Sequence, residues 1–328
     1  LVSQAIGVTG LAFVPGWWAL VPMVFYGFAL AAFIPAQQSY ISAQVAYRHR
    51  GRALAAIEFS WALTGILALP VAGWLIDSIG WRAPLLLLGL ASLLLTGLVW
   101  VLLPRSPRSR FERPDRLQLR QVFRRRGVLI SILVATLLFL GASTFGTIWS
   151  IWLSADFGLT AVGLGLVATA IGVAELAGSA LSGLFIDRVG KRRGSIAGLL
   201  YTAGAFSLLL PAQASLITAV MGIMLLGVGV EFTIVSLIPL YSEQAPEARA
   251  TVFSLVGVGT SIGVAIAAPL TASLWNYVGL WAVCGVGVTS MVLAAGLAWR
   301  FLREGEAELT DPAEPAPGEQ ATRGLGSS

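Results

Sequence analysis

Residues 183–193 read Gly-Leu-Phe-Ile-Asp-Arg-Val-Gly-Lys-Arg-Arg and lie between two apolar runs, 160–186 and 194–212. Each run is long enough to cross a bilayer as a helix, since about 20 residues suffice. The stretch is therefore predicted to be a short polar loop joining two transmembrane helices. Its residue types suit the membrane surface: glycine permits close approach or a sharp turn, an acid suits a helix N-terminus, and cations suit lipid phosphates.

The composition of the whole chain indicates a membrane protein. Of the 328 residues, 57% are hydrophobic and only 11% are charged, whereas a soluble protein carries roughly a quarter charged residues. The net charge of +5 does not indicate nucleic-acid binding, because the cations flank apolar runs instead of forming a patch with aromatic residues. The single cysteine, Cys284, and the single histidine, His49, form no metal-binding, disulfide or catalytic pattern. We therefore expect no metal, no cofactor and no enzymatic activity.

Apolar runs predict an all-α, polytopic fold with nine complete spanning helices. Residues 1–13 form a tenth run that is too short to cross at 1.5 Å per residue, so a truncated amino end is expected. The complete runs are 17–43, 53–77, 83–103, 127–151, 160–186, 194–212, 215–241, 248–274 and 279–301.

The distribution of cations predicts the orientation of these helices. If the nine complete helices alternate in direction, 20 of the 21 lysines and arginines fall on one side and only Arg82 falls on the other. The positive-inside rule then places the cationic loops and the C-terminus in the cytoplasm. Most of the tryptophans fall at helix ends, where their rings prefer the headgroup zone.

The longest break between apolar runs, residues 104–126, is rich in arginine and proline and predicts a boundary between two helical bundles. The first bundle, 1–103, is expected to hold the end of one helix and three complete ones. The second, 127–303, is expected to hold six. The tail 304–328 is acidic and lacks an apolar period, so it is predicted to be disordered.

A weak internal repeat supports the two-bundle prediction. A shift of 199 residues aligns Pro70 with Pro269 and Gly80 with Gly279. The same shift carries Asp187 to a position before residue 1. The counterpart of 183–193 in the first half is therefore expected to be missing, together with the first two helices of a twelve-helix protein.

The spacing G-x-x-x-D-R-x-G-x-R-R within residues 183–193 resembles the loop signature of the major facilitator superfamily, found between helices 2 and 3 and between helices 8 and 9. The resemblance implies a transporter with two bundles that rock about a central site. It also implies that Asp187 and its cations contact the start of helix 53–77 and favour the outward-facing state. The signature residues are Gly183, Asp187, Arg188, Gly190, Lys191, Arg192 and Arg193.

Two further stretches are similar to the same family. Arg50 and Arg52 match its loop between helices 4 and 5. Gly65, Pro70 and Gly73 partly match the helix-5 signature of its antiporter branch. That signature prefers glycine at two neighbouring positions that are leucine and tryptophan here, so both efflux and uptake stay open.

Three carboxylates fall within predicted helices, where an ionised group is costly and must face a cavity, find a partner or become protonated. Glu231 lies near the middle of helix 215–241, beside the cavity that the resemblance implies, and is our candidate substrate or proton site. Glu175 has glycines three residues before and after it, so a structural hydrogen bond between close-packed helices is the alternative to proton carriage. Glu58 is a candidate for gating near the basic loop.

Gln38 and Thr144 are neutral candidates for substrate contact, with hydrogen bonding between helices as the alternative. Together these features predict a monomeric secondary transporter in the plasma membrane that moves a small solute with or against protons. A non-transporting membrane receptor, or an inactive fragment of a transporter, is the alternative.

Overall fold

The computed structural model describes residues 1–44, 63–102, 122–245 and 248–304, and all the elements within these ranges are helical. A 3₁₀ turn, Gly16–Ala19, precedes the second helix, and a π-helical turn, Thr64–Ala68, precedes the third. The α-helices are α1 (Val2–Phe13), α2 (Leu20–Gln44), α3 (Leu69–Ser78), α4 (Arg82–Leu102), α5 (Arg126–Phe157), α6 (Ala161–Val189), α7 (Lys191–Ala212), α8 (Leu216–Ser242), α9 (Arg249–Tyr277) and α10 (Leu280–Phe301).

Seven of these helices, α4 to α10, are long and apolar enough to cross a membrane, which confirms the corresponding seven predicted spans. The remaining predicted spans, 17–43 and 53–77, correspond to α2 and α3. Both border the residues 45–62, which lie outside the described ranges. The described part of the chain is therefore all-helical, and its seven candidate spans indicate a multi-pass membrane protein.

Helices α5 to α10 share one core. Helix α5 packs on α9 and α10, α8 packs on α6 and α7, and α7 also packs on α10. The aromatic ring of Phe145 in α5 meets Trp152 and Phe206 edge-on, each at a centroid distance of 6.2 Å. Edge-to-face pairs of this kind add to the stabilisation from packing alone.

Small residues allow these helices to approach closely, as expected where lipid supplies little driving force for association. A Cβ at Gly259 of α9 would lie 2.5 Å from the carbonyl oxygen of Ile132 in α5. At the same crossing the hydroxyl of Thr136 donates to the carbonyl of Gly259 at 3.0 Å. Helices α5 and α9 are therefore held by direct backbone contact.

Helices α1, α2 and α4 form a second, smaller group. The hydroxyl of Ser3 in α1 donates to the carbonyl of Phe25 in α2 at 2.7 Å. Nε of Arg82, in the first turn of α4, donates to the carbonyl of Ala12 in the last turn of α1 at 2.8 Å. A cation at a helix C-terminus satisfies carbonyls that have no partner within the helix. The one cation predicted on the opposite side from the others thus joins two helices.

Helix α3 packs mainly against α6 and only slightly against α4. Its π-helical turn directly precedes Pro70. Proline lacks the N–H that would bond to the carbonyl four residues earlier, and such a gap favours a local widening of the helix. The π-helical turn itself also contacts α6.

The prediction that residues 183–193 form a loop is wrong in its extent. Helix α6 continues to Val189 and α7 begins at Lys191, so only Gly190 separates them. Gly190 has φ 92°, a conformation that favours glycine, and its turn is confirmed. The apolar runs end before the helices do, because charged side chains at the membrane surface can remain in helical turns.

Candidate functional site

Gly65, Pro70 and Gly73, which partly match the helix-5 signature described above, lie where α3 and its π-helical turn contact α6. This contact is here called the α3–α6 seam. A Cβ at Gly65 would lie 3.3 Å from the Cα of Gly172 in α6. A Cβ at Gly165 of α6 would lie 2.9 Å from the Cα of Pro70. The seam therefore brings two backbones together with no intervening side chain at these points. It is the principal described contact between the residues before and after 104–126.

The seam continues to the far end of α3. A side chain at Gly73 would collide with the carbonyl of Ala161 at the start of α6. One turn beyond Gly73, Oδ2 of Asp77 accepts a hydrogen bond from the main-chain N–H of Val162 at 3.0 Å. This contact of Asp77 could not be predicted from local spacing, because its partner lies 85 residues away along the chain.

The two described membrane carboxylates lie on neighbouring helices. A Cβ at Gly178 of α6 would lie 3.2 Å from the Cβ of Glu231 in α8, and Glu175 lies one turn before Gly178. Residues three apart on a helix have Cβ atoms about 5–6 Å apart, so the Cβ atoms of Glu175 and Glu231 lie within about 9 Å of one another. Both side chains are half-buried.

The direction of Glu175 follows from the contacts of its helix. On α6, Gly172 faces α3, whereas Ala174 and Gly178 face α8. With 100° between successive residues, Glu175 lies between these two faces. Close packing at Gly172 and Gly178 is confirmed, and Glu175 lies between the side of α6 that faces α3 and the side that faces α8.

Buried hydroxyl pairs join helices α6, α7 and α8. Ser182 of α6 and Ser236 of α8 lie 2.9 Å apart, and both side chains are buried. Thr202 of α7 and Thr233 of α8 lie 3.3 Å apart, also buried. A buried hydroxyl without a partner would be costly. The Ser182–Ser236 pair therefore favours one relative position of α6 and α8, the helices that carry Glu175 and Glu231, and the other pair does the same for α7 and α8.

The signature cations make contacts among the ends of α7, α8 and α10. Nζ of Lys191 lies 2.6 Å from Oε1 of Glu243 at the end of α8. The guanidinium of Arg192 donates to the carbonyl of Trp299 near the end of α10. Within the described residues, Nε of Arg192 is buried without a hydrogen-bond partner. The expected contact with the start of helix 53–77 falls on residues outside the described ranges.

Glu304 caps α7, which the sequence did not predict. Its carboxylate accepts from the main-chain N–H of Lys191 at 2.8 Å and from that of Arg192 at 3.4 Å. The residue opens the tail predicted to be disordered, yet it is bound to a helix N-terminus, where an anion satisfies free N–H groups. A cavity of about 570 Å³ beside it is lined by Val189, Arg192, Arg193, Arg303 and Glu304.

The other candidates are placed less centrally. Thr144 is buried, and its hydroxyl donates to the carbonyl of Leu140 in its own helix at 2.6 Å. Among the described residues nothing lies within 4 Å of a Cβ built at Gly183, and Arg188 is exposed. The side chains of Gln38 and Asp187, and the whole of Arg50, Arg52 and Glu58, lie outside what the structure describes.

Comparison with known proteins gives a family match over nearly the whole chain. The model of the Major Facilitator Superfamily matches residues 1–145 and 131–325. The solved structure of a D-xylose-proton symporter is similar with a TM-score of 0.71 at 19% identity, covering 92% of this chain and 79% of that one. At this identity the similarity concerns the fold.

Two curated proteins are similar in sequence. The uncharacterized MFS-type transporter YceJ of Bacillus subtilis is 26% identical over 261 residues, which cover 77% of this chain and 65% of that protein. The transcription regulatory protein OpdE of Pseudomonas aeruginosa is 33% identical over 145 residues, which cover 43% of this chain and 35% of that protein. The chain thus spans less than two thirds of the length of either relative.

Proposed function

The chain belongs to the Major Facilitator Superfamily, and we propose that it is a secondary active transporter that moves a small solute by alternating access. The α3–α6 seam carries this proposal. It joins the segment 1–103 to the segment 127–303 through glycine contacts and one exposed hydrogen bond. Such a contact can separate at one end and close at the other without disrupting the core of either segment. These segments are the two moving bodies of the proposed cycle.

The proposed orientation places the cationic ends of the helices in the cytoplasm. The α6–α7 junction carries four cations, Arg188, Lys191, Arg192 and Arg193, and α10 ends beside Arg303 at the same end of the α5–α10 core. Lysines and arginines near helix ends are retained on the cytoplasmic side of a membrane. In this orientation the C-terminus is cytoplasmic and the other ends of the helices face outward. We propose that the protein acts as a monomer in the plasma membrane.

Glu231, with Glu175 beside it, is the proposed coupling site. Two half-buried carboxylates whose Cβ atoms lie within about 9 Å of one another repel when both are ionised, at a cost in free energy. A proton or a positively charged group of the solute would relieve that cost when bound there. Loading and release of the site would then be linked to which end of the seam is open.

Transport of radiolabelled solutes into proteoliposomes that contain the complete gene product tests the proposal. A thermal-shift screen first selects solutes that stabilise the wild type but not the Glu231→Gln variant. Uptake of a selected solute that exceeds that of empty liposomes and responds to an imposed pH gradient is the expected result. Stabilising solutes that are never carried across the membrane would contradict transport.

A membrane receptor is the second candidate, favoured by the 33% identity to OpdE, whose name describes transcription regulation. A receptor would bind its solute without moving it. Deletion of the gene would then change transcript levels in response to the solute, while uptake by cells stayed unchanged.

A further inference from the structure

Asp77 occupies an unfavourable place in its own helix. It lies in the last turn of α3, where a negative charge opposes the negative end of the helix dipole. Its Oδ2 accepts a hydrogen bond at 3.0 Å from the N–H of Val162, in the first turn of α6. First-turn N–H groups have no acceptor within their helix. The carboxylate therefore stabilises α6, on the other side of the seam.

The surrounding residues leave the N–H of Val162 available to Asp77. Thr160, the N-cap residue of α6, accepts from the N–H of Gly163 through its side chain. Gly73, one turn before Asp77, lets α3 approach the carbonyl of Ala161, where any side chain would collide. The seam thus brings Asp77 within reach of the N–H of Val162, which directly precedes the N–H that bonds to the Thr160 side chain.

We propose that Asp77 is an outer latch, a carboxylate that holds the outer end of the seam closed by capping α6 and releases Val162 when that end opens. This inference rests on the proposed function, alternating access with the cationic helix ends in the cytoplasm. The bond is exposed to solvent, so it biases the equilibrium between two conformations without locking either. Such a bias is sufficient to change which conformation predominates where the two conformations are close in free energy.

Spin labels on each side of the outer opening measure the latch directly. Ile79, which is 71% exposed, and the exposed Ala155 at the end of α5 are replaced by cysteine in the complete gene product carrying Cys284→Ala. Electron paramagnetic resonance in nanodiscs then gives the ratio of long to short distances without any solute. We expect Asp77→Ala to raise this ratio about threefold to tenfold, and Asp77→Asn to raise it less, because the amide oxygen still accepts.

Ser78→Ala is the matched control, since the hydroxyl of Ser78 donates to the carbonyl of Trp74 in its own helix and, among the described residues, to no group across the seam. Val162→Pro removes the donor in the first turn of α6, where the main-chain N–H has no acceptor within the helix to lose. It should reproduce the effect of Asp77→Ala, and combining the two should add little. An unchanged ratio in Asp77→Ala, or an equal rise in Ser78→Ala, would overturn the latch. Absence of solute flux in the wild type together with a shifted ratio in Asp77→Ala would contradict transport alone.

Discussion

Nζ of Lys191, in the first turn of α7, lies 2.6 Å from Oε1 of Glu243 at the end of α8, and the lysine side chain is 37% exposed while the glutamate is 7% exposed. The carboxylate is therefore the desolvated partner, and loss of the cation is the costly change. We expect Lys191→Ala to destabilise the protein by about 1–2 kcal/mol, less than for a fully buried pair because the lysine is partly solvated. Thermal unfolding in detergent checks this, with the exposed Arg193→Ala as control. Equal melting temperatures would contradict it.

Removal of the Glu304 carboxylate should loosen the start of α7. Two main-chain donors, those of Lys191 and Arg192, bond to this side chain. Loss of a helix cap costs about 1 kcal/mol, so Glu304→Ala should accelerate hydrogen exchange of these amides about fivefold. Glu304→Gln keeps an acceptor oxygen and should have a smaller effect. An unchanged exchange rate in Glu304→Ala would show that another group caps α7.

The membrane-spanning part of the fold could be predicted from the sequence because apolar length and charge placement report directly on a bilayer. The runs 127–151 and 279–301, for example, correspond to α5 and α10. The residues at which the helices end could not be predicted, because a polar residue at the membrane surface is compatible with a loop or with a helical turn. Lys191 was expected in a loop and lies in the first turn of α7.

The candidate site could be predicted only where the pattern is local. Gly65, Pro70 and Gly73 share one helix, and the structure places all three in the α3–α6 seam. Asp77 and Glu304 act on helices that are far away along the chain. No local spacing in the sequence encodes such a pairing, so the roles of these two residues become visible only in the folded structure.

The seam should not tolerate a side chain at Gly165. A Cβ there would lie 2.9 Å from the Cα of Pro70, and backbone atoms cannot yield as a flexible side chain can. We expect Gly165→Val to cost about 1–3 kcal/mol and to reduce solute flux at least tenfold, because α3 is displaced from α6. Gly204→Val is the matched control, since no described atom lies within 4 Å of its Cβ position. Similar flux in the two variants would show that the seam is dispensable.

The two membrane carboxylates, Glu231 and Glu175, should differ in their contribution to uptake. If Glu231 carries the coupling site, Glu231→Gln should lower uptake driven by a pH gradient at least tenfold, whereas Glu175→Gln, at the edge of the same helix pair, should lower it about threefold or less. Gly178→Ala supplies a positional test without removing either acid. The added Cβ would lie 2.5 Å from the carbonyl of Val228 and 3.2 Å from the Cβ of Glu231, so it should displace Glu231 and give an intermediate loss. Uptake in proteoliposomes measures all three variants. Full uptake by Glu231→Gln, or a greater loss in Glu175→Gln, would move the coupling site from α8 to α6.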